Sequence, residues 1–208
     1  MPDRVRQDDT SDMLRMFVIS GCNGAGKTTA SYTMLPTLLN LHTFVNADEI
    51  ADELSPQDPE HESIRAFRLM LERMDQLIAR GEDFAVETTL ATKSLAGIIE
   101  NAQNLGYKVG LLYFWLKSPE LAVRRVAIRV ASGGHNIAEN TIVRRYWQGM
   151  KNLRDIYIPR CDSWILIDYS ATEANWIAER KPGEKEPIIY NKKLYNQILN
   201  PDNPTEQP

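Results

Sequence analysis

FVISGCNGAGKTT, residues 17–29, decides how the rest of the chain reads. Its apolar opening, ending at Ser20, has the composition of a buried parallel strand. Gly21 to Thr28 then satisfies G-x-x-x-x-G-K-[ST], with a helical pattern starting after Lys27. Gly21, Gly24 and Gly26 free the backbone to turn and let phosphate oxygens approach the main chain. The amides of this loop, through Asn23, Ala25 and on to Thr29, form an anion-binding concavity capped by the positive end of the next helix. Lys27 would reach the β- and γ-phosphates of ATP, and the Thr28 hydroxyl would bind Mg²⁺. The stretch leaves open which molecule accepts a phosphate, or whether any does.

On either side the chain repeats a strand-then-helix rhythm. Strands are expected at 14–20, 43–45, 83–86, 108–116 and 163–168. The helix after Lys27 carries Ala30, Met34 and Leu38 on one face, with Pro36 set to end or kink it. Ile64, Phe67, Leu71, Met74 and Ile78 recur at three- and four-residue spacing, which predicts an amphipathic helix over 62–80 stopped by Gly81. Thr92 is placed to cap a helix reaching about Asn104. Ser118 and Pro119 supply the N-cap and first position of a helix running to about Ala131. After a break at 132–136, another helix is expected from about Ala138 to Asp155, and short elements follow at 174–179 and 188–199. The pattern is that of an α/β fold of the P-loop NTPase and kinase type, a mostly parallel five-stranded sheet flanked by helices. One domain is expected over 14–199, with a helical lid at about 119–156, between disordered tails at 1–13 and 200–208.

Ligands of open parallel sheets lie beyond the carboxyl ends of the strands. That rule brings Asp48, after the second strand, and Glu87, at the end of the third, beside the P-loop. A carboxylate at Asp48 could take the proton of an attacking hydroxyl. It could equally serve as an N-cap or first-turn charge for the helix through Glu49 and Ile50. Glu87, Thr88 and Thr89 form a polar run after apolar Phe84, Ala85 and Val86. Glu87 could hold Mg²⁺ through water, orient an acceptor or act as the base; the plainer alternative is a carboxylate satisfied by nearby backbone amides. Arg124, Arg125 and Arg129 share one expected helix, and Arg144 and Arg145 the next, on either side of Gly133 and Gly134. Arginine's permanent charge and forked donors suit phosphate oxygens. The pair of helices therefore reads as a mobile lid closing over ATP, the alternative being a solvated basic face. His135 reads as a loop or capping residue, and Trp115, Trp147, Trp164 and Trp176 as core or rim residues.

A net charge of -4 gives no overall basic footprint, so nucleic acid is not an expected partner. No apolar run is long enough to cross a bilayer, and the first residues lack the apolar core of a signal peptide. Cys22 and Cys161 have no metal spacing and read as reduced thiols of a cytoplasmic protein. A nucleotide-dependent switch or motor ATPase is the competing class. Ser132-Gly133-Gly134 shares three residues with the ABC ATPase signature, but Ala131 and His135 stand where Leu and Gln are needed. Asn191-Lys192-Lys193-Leu194 lacks the final Asp of a GTPase guanine motif.

SGCNGAGKTT, FVNADEIA, FAVETTL, GYKVGLLYFWLKSPELAVRRVAIRVASGGHNIAENTIVRRY and SWILIDYS, in that order, resemble the zeta toxin family over roughly residues 15–170. Many families share the P-loop; the ordered set of NADEIA, ETTL and RV-x₂-RV-x-SGGH-x-I is specific. The resemblance implies a kinase that uses ATP and Mg²⁺ to phosphorylate the sugar of UDP-N-acetylglucosamine. It implies that Lys27 and Thr28 hold the phosphates and Mg²⁺, and that Asp48 deprotonates the sugar hydroxyl. Glu87 matches a glutamate of the acceptor pocket, with Thr88 and Thr89 beside it, and Arg129 and Arg145 match arginines that contact phosphates. A small antitoxin that blocks the ATP site is implied as a possible partner. This chain is close to a minimal kinase core and lacks elements that longer toxins carry around the sugar-nucleotide pocket.

Overall fold

β1 (Arg15–Gly21) lies between β3 (Phe84–Thr88) and β4 (Lys108–Trp115). Outside these stand β2 (Phe44–Asn46), β5 (Ser163–Asp168), β6 (Asn175–Arg180) and β7 (Ile188–Ile189), giving a seven-stranded sheet of order β2-β3-β1-β4-β5-β6-β7. The computed structural model describes residues 13–38, 40–57, 61–134, 136–171 and 173–199. The expected tails, and His135, therefore lie outside the described residues, Met13 excepted. β1 to β5 run parallel, as expected, but the sheet has two strands more than the five read from sequence. β6 and β7 add to its edge antiparallel. Their signal is weak: β6 begins with exposed Asn175 and Trp176, and β7 is two residues long.

The helices are α1 (Lys27–Leu38), α2 (Ala47–Leu54), α3 (Ser63–Arg80), α4 (Leu95–Asn104), α5 (Pro119–Ala131), α6 (Glu139–Asn152), α7 (Ile158–Arg160) and α8 (Lys192–Leu199). A π-helical turn, Leu153–Tyr157, joins α6 to α7. Pro36 falls in the last turn of α1 and does not end it. Ser118 caps α5 by accepting from the Leu121 amide at 3.3 Å, and Gly81 closes α3 in the left-handed conformation. Thr92 does not cap α4, whose N-cap position is Ser94; the Thr92 carbonyl instead accepts the Tyr157 hydroxyl.

Side chains of β1 alternate between two layers. Met16 and Val18 face Met70, Met74 and Leu77 of α3 and Ile99 and Ala102 of α4. Ile19 faces Ala30 of α1, Ala122 and Val126 of α5, and Ile142 and Tyr146 of α6. Each large aliphatic buried this way contributes roughly 1.5–3 kcal/mol, so these two layers carry the fold and its loops need not. α6 serves both layers. Ile142 and Tyr146 belong to the second, Leu153 and Tyr157 just beyond it belong to the first, and Met150 packs against each. Among the described residues no helix is long and apolar enough to cross a membrane. The loop after β1 emerges between β3 and β4, at the carboxyl edge of the sheet, where parallel sheets bind ligands.

Candidate active site

The P-loop is built as its sequence requires. Gly24 and Gly26 adopt φ of 77° and 82°, a region that side chains disfavour. Space excludes a side chain as well: a Cβ on Gly24 would lie 2.8 Å from the Ala122 carbonyl oxygen, and one on Gly26 would lie 2.7 Å from the Tyr169 ring. The Ala25 amide donates to the Cys22 carbonyl at 3.2 Å, which curls the loop. Lys27, only 6% exposed, turns back and donates to the same carbonyl at 3.0 Å. Burial pushes the Cys22 thiol up to about 11 against the pull of Lys27 and Arg125, so it is a neutral wall residue at neutral pH.

Glu87 is the hub of the site. Its carboxylate is 8% exposed and accepts the Thr28 hydroxyl at 2.8 Å and the Asn46 amide at 3.3 Å. It stands 3.5 Å from the Lys27 ammonium. Its partners are thus side chains of the P-loop and of β2, not the backbone amides of the plainer sequence reading. β2 pairs with β3 so that Asn46 is opposite Glu87, which explains the contact. Asn46 also caps α2 by accepting the Asp48 amide at 2.9 Å. Asp48 is therefore not the cap. It sits in the first turn of α2, exposed, its carboxylate without a hydrogen-bond or ion-pair partner among the described residues. Beside it, β2, α2 and α3 line an open cleft of about 370 Å³ that includes Asn46, Glu49, Glu53, Glu72 and Arg73.

The remaining expected residues divide. Arg145 of α6 reaches the P-loop and donates to Asn23 Oδ1 at 3.3 Å. Arg129 lies exposed in the last turn of α5, its stem against Gly134. Thr88 and Thr89 turn their hydroxyls to their own loop, accepting from the Leu90 amide at 3.1 Å and the Ala91 amide at 3.4 Å. Thr29 is exposed on α1. Two residues matter more than their sequence suggested. Arg125 donates to the Ser170 and Ala171 carbonyls at 3.2 and 3.4 Å while its Cβ flanks Gly24, joining α5 and the end of β5 to the P-loop. Asn46 links the cap of α2 to Glu87; the sequence reading passed over it, although Asn before Ala47-Asp48-Glu49 has the form of a helix cap, the signal that could have found it.

No cluster of three His, Cys, Asp or Glu side chains among the described residues could cage a metal. A Mg²⁺ ion here would depend on a few protein oxygens together with phosphates, which is how this ion is commonly held.

The zeta toxin profile matches residues 4–157. An uncharacterised protein of Haemophilus influenzae is 31% identical over 126 residues, covering 61% of this chain and 88% of that protein. In three dimensions the chain resembles a structure from the PezAT toxin–antitoxin system of Streptococcus pneumoniae, with TM-score 0.65 and 15% identity over 93% of this chain and 80% of that one. It also resembles the AvrRxo1-ORF1:ORF2 complex with ATP, with TM-score 0.67 and 17% identity over 95% and 67% of the two chains. At such identities the structural likeness speaks to the fold. The sequence match speaks to descent: this chain is a member of the zeta toxin family, with a kinase-type P-loop fold.

Proposed function

We propose that this chain is an ATP-dependent kinase that passes the γ-phosphate to a hydroxyl of a sugar nucleotide, of the UDP-N-acetylglucosamine kind, or of a related metabolite. One observation carries the reading: Glu87 meets Thr28 at 2.8 Å and Lys27 at 3.5 Å, while Asp48, in the first turn of α2, keeps an exposed carboxylate with no partner among the described residues. Structural ion pairs account for the first feature alone; a general base waiting for a substrate proton accounts for the second.

The residues fit ATP and Mg²⁺. Gly24 and Gly26 sit too close to Ala122 and Tyr169 for any side chain, so the loop keeps a bare main chain for phosphate, and Lys27 supplies the buried cation. Thr28 and Glu87 offer a hydroxyl and a carboxylate side by side, the oxygen chemistry of a hard cation site. Mg²⁺ would supply charge neutralisation on the transferring phosphoryl group. Lys27 would neutralise the same group from the loop side, Asp48 would take the acceptor's proton, and Asn46 would keep Glu87 and the start of α2 in register. Arg145, and Arg129 from α5, would meet phosphate charge from the hairpin side.

The cleft beside β2 carries Glu49, Glu53 and Glu72 against Arg73. That balance suits hydroxyls better than a diphosphate, so an acceptor's phosphates belong on the side of the arginines and its sugar on the side of α2. A small antitoxin remains part of the proposal, since the PezAT relative comes from a toxin–antitoxin system. Asp48→Ala tests the mechanism. It should bind ATP as the parent does and transfer no phosphate; parental transfer by the variant would remove Asp48 from the reaction.

A further inference from the structure

We propose that α6 and its π-helical turn tie the two halves of the site together, and that Asn152 is the positioning residue that fixes the 88–92 turn behind Glu87. The proposal rests on the kinase reading above and adds a residue that neither the family motifs nor the P-loop point to.

The turn needs fixing. Leu90 is buried and has φ of 56°; among the described residues only Asn40 shares a positive φ without being glycine. A leucine does not hold that conformation unless its surroundings impose it. Within the turn, Thr88 Oγ1 accepts the Leu90 amide at 3.1 Å. From outside, Asn152 Nδ2 donates to the Leu90 carbonyl at 2.7 Å and lies 3.5 Å from the Thr92 carbonyl. The Asn152 side chain is itself oriented, because its Oδ1 accepts Gln148 Nε2 at 2.9 Å. At 1% exposure, it is a polar group kept in the interior with every bond made. Tyr157 adds its hydroxyl to the Thr92 carbonyl at 2.6 Å. Gly149 completes the contact: any Cβ there would overlap the Thr89 carbonyl oxygen.

The residues form one stripe. Arg145, Gly149 and Asn152 follow at four and three residues, the spacing of a single α-helical face. Arg145 holds Asn23 of the P-loop, so the stripe touches the donor loop at one end and the 88–92 turn at the other. Regular α-helix would next present residue 156. The π turn at Leu153–Tyr157 inserts one residue and brings Tyr157 onto the face in its place. The helical irregularity thus has a local purpose, and α6 acts as a fixed bridge between the P-loop and the 88–92 turn.

Asn152→Asp keeps the shape and removes the amide donor; Tyr157→Phe removes one hydroxyl and keeps the ring. Both are made in the full chain. Three measurements are compared with the parent: amide hydrogen exchange at 88–92, affinity for a non-hydrolysable Mg²⁺-ATP analogue, and turnover of ATP with UDP-N-acetylglucosamine as probe acceptor. Asn152→Asp should exchange about tenfold faster at 88–92 and lose about tenfold in kcat, while analogue affinity stays within about twofold. Tyr157→Phe should show the same pattern to a smaller degree. Unchanged exchange at 88–92 in both variants overturns the proposal. So does a loss of turnover matched by an equal loss of analogue affinity and faster exchange throughout the chain, the mark of general destabilisation. A parent that phosphorylates none of a panel of UDP-sugars and related hydroxyl-bearing metabolites refutes the kinase reading separately, and the exchange pattern then decides the tie by itself.

Discussion

Replacing Glu87 by Gln removes one charge from the centre of the site and keeps its shape. In the parent, Glu87 and Lys27 are 8% and 6% exposed, and their charged atoms lie 3.5 Å apart. The variant leaves Lys27 donating to the Cys22 carbonyl at 3.0 Å and removes the opposite charge beside it. Stranding one member of a buried ion pair costs about 3–5 kcal/mol. The carbonyl and the new amide oxygen each recover part of that, which brings the expected loss to about 2–3 kcal/mol. For a chain of this size, that lowers Tm by roughly 4–12 °C. The same change should help phosphate, since Glu87 competes with it for Lys27. In EDTA, ATP should bind the variant about tenfold more tightly than the parent, a gain of about 1.4 kcal/mol. Added Mg²⁺ should erase that gain, because the parental carboxylate then has a cation beside Thr28. Urea unfolding and isothermal titration with and without metal read these effects. Parental stability together with parental metal-free affinity would refute the assignment of Glu87 as the counter-ion of Lys27.

Other expectations follow from the same geometry. Gly24→Ala forces a left-handed alanine, at about 1–2 kcal/mol, and sets its Cβ 2.8 Å from the Ala122 oxygen. Denaturant unfolding should show at least that loss and titration a weakened affinity for nucleotide; two unchanged values would contradict the loop geometry. The buried thiols give a pH dependence. Cys22 and Cys161 are pushed up to about 11 and about 12 from 9.0, so the fold holds them protonated where the unfolded chain ionises them. Their contribution is complete below about pH 9 and declines above it, by up to about 1.4 kcal/mol per pH unit for each thiol, until the folded thiols ionise. Unfolding free energy measured from pH 8 to 11 should fall on this account, and Cys22→Ala/Cys161→Ala should flatten the curve. At pH 7.5, alkylation of the native protein should be no faster than its opening; labelling at the rate of a free thiol would mean the two cysteines are exposed.

Much of the fold was legible because its signals are local. The P-loop spacing, the five parallel strands and the Ser118-Pro119 start of α5 each depend on a few neighbouring residues. Asp48 and Glu87 were legible only with a rule of topology added, which placed both at the carboxyl edge of the sheet. What escaped depends on distant partners. Thr92 has a capping residue's chemistry, but Tyr157 and Asn152 claim its carbonyl and the helix starts after Ser94. Asn23 and Arg145 are 122 residues apart, and only the family resemblance, not spacing or periodicity, favoured Arg145 over Arg144. Arg129, weighted equally with Arg145 in the sequence, stands exposed at a helix end. The π turn changes the helical phase by one residue, which periodicity over a short window does not register.

The account stands most directly on a phosphoryl-transfer assay. The purified chain, ATP and Mg²⁺ are incubated with a panel of UDP-sugars and other hydroxyl-bearing metabolites, and every compound is weighed by mass spectrometry. One acceptor should gain a single phosphoryl group, in proportion to the ADP formed. ATP hydrolysis that saturates normally, changes with none of the metabolites and leaves every acceptor's mass unaltered would contradict the claim that this P-loop is the donor half of a kinase site.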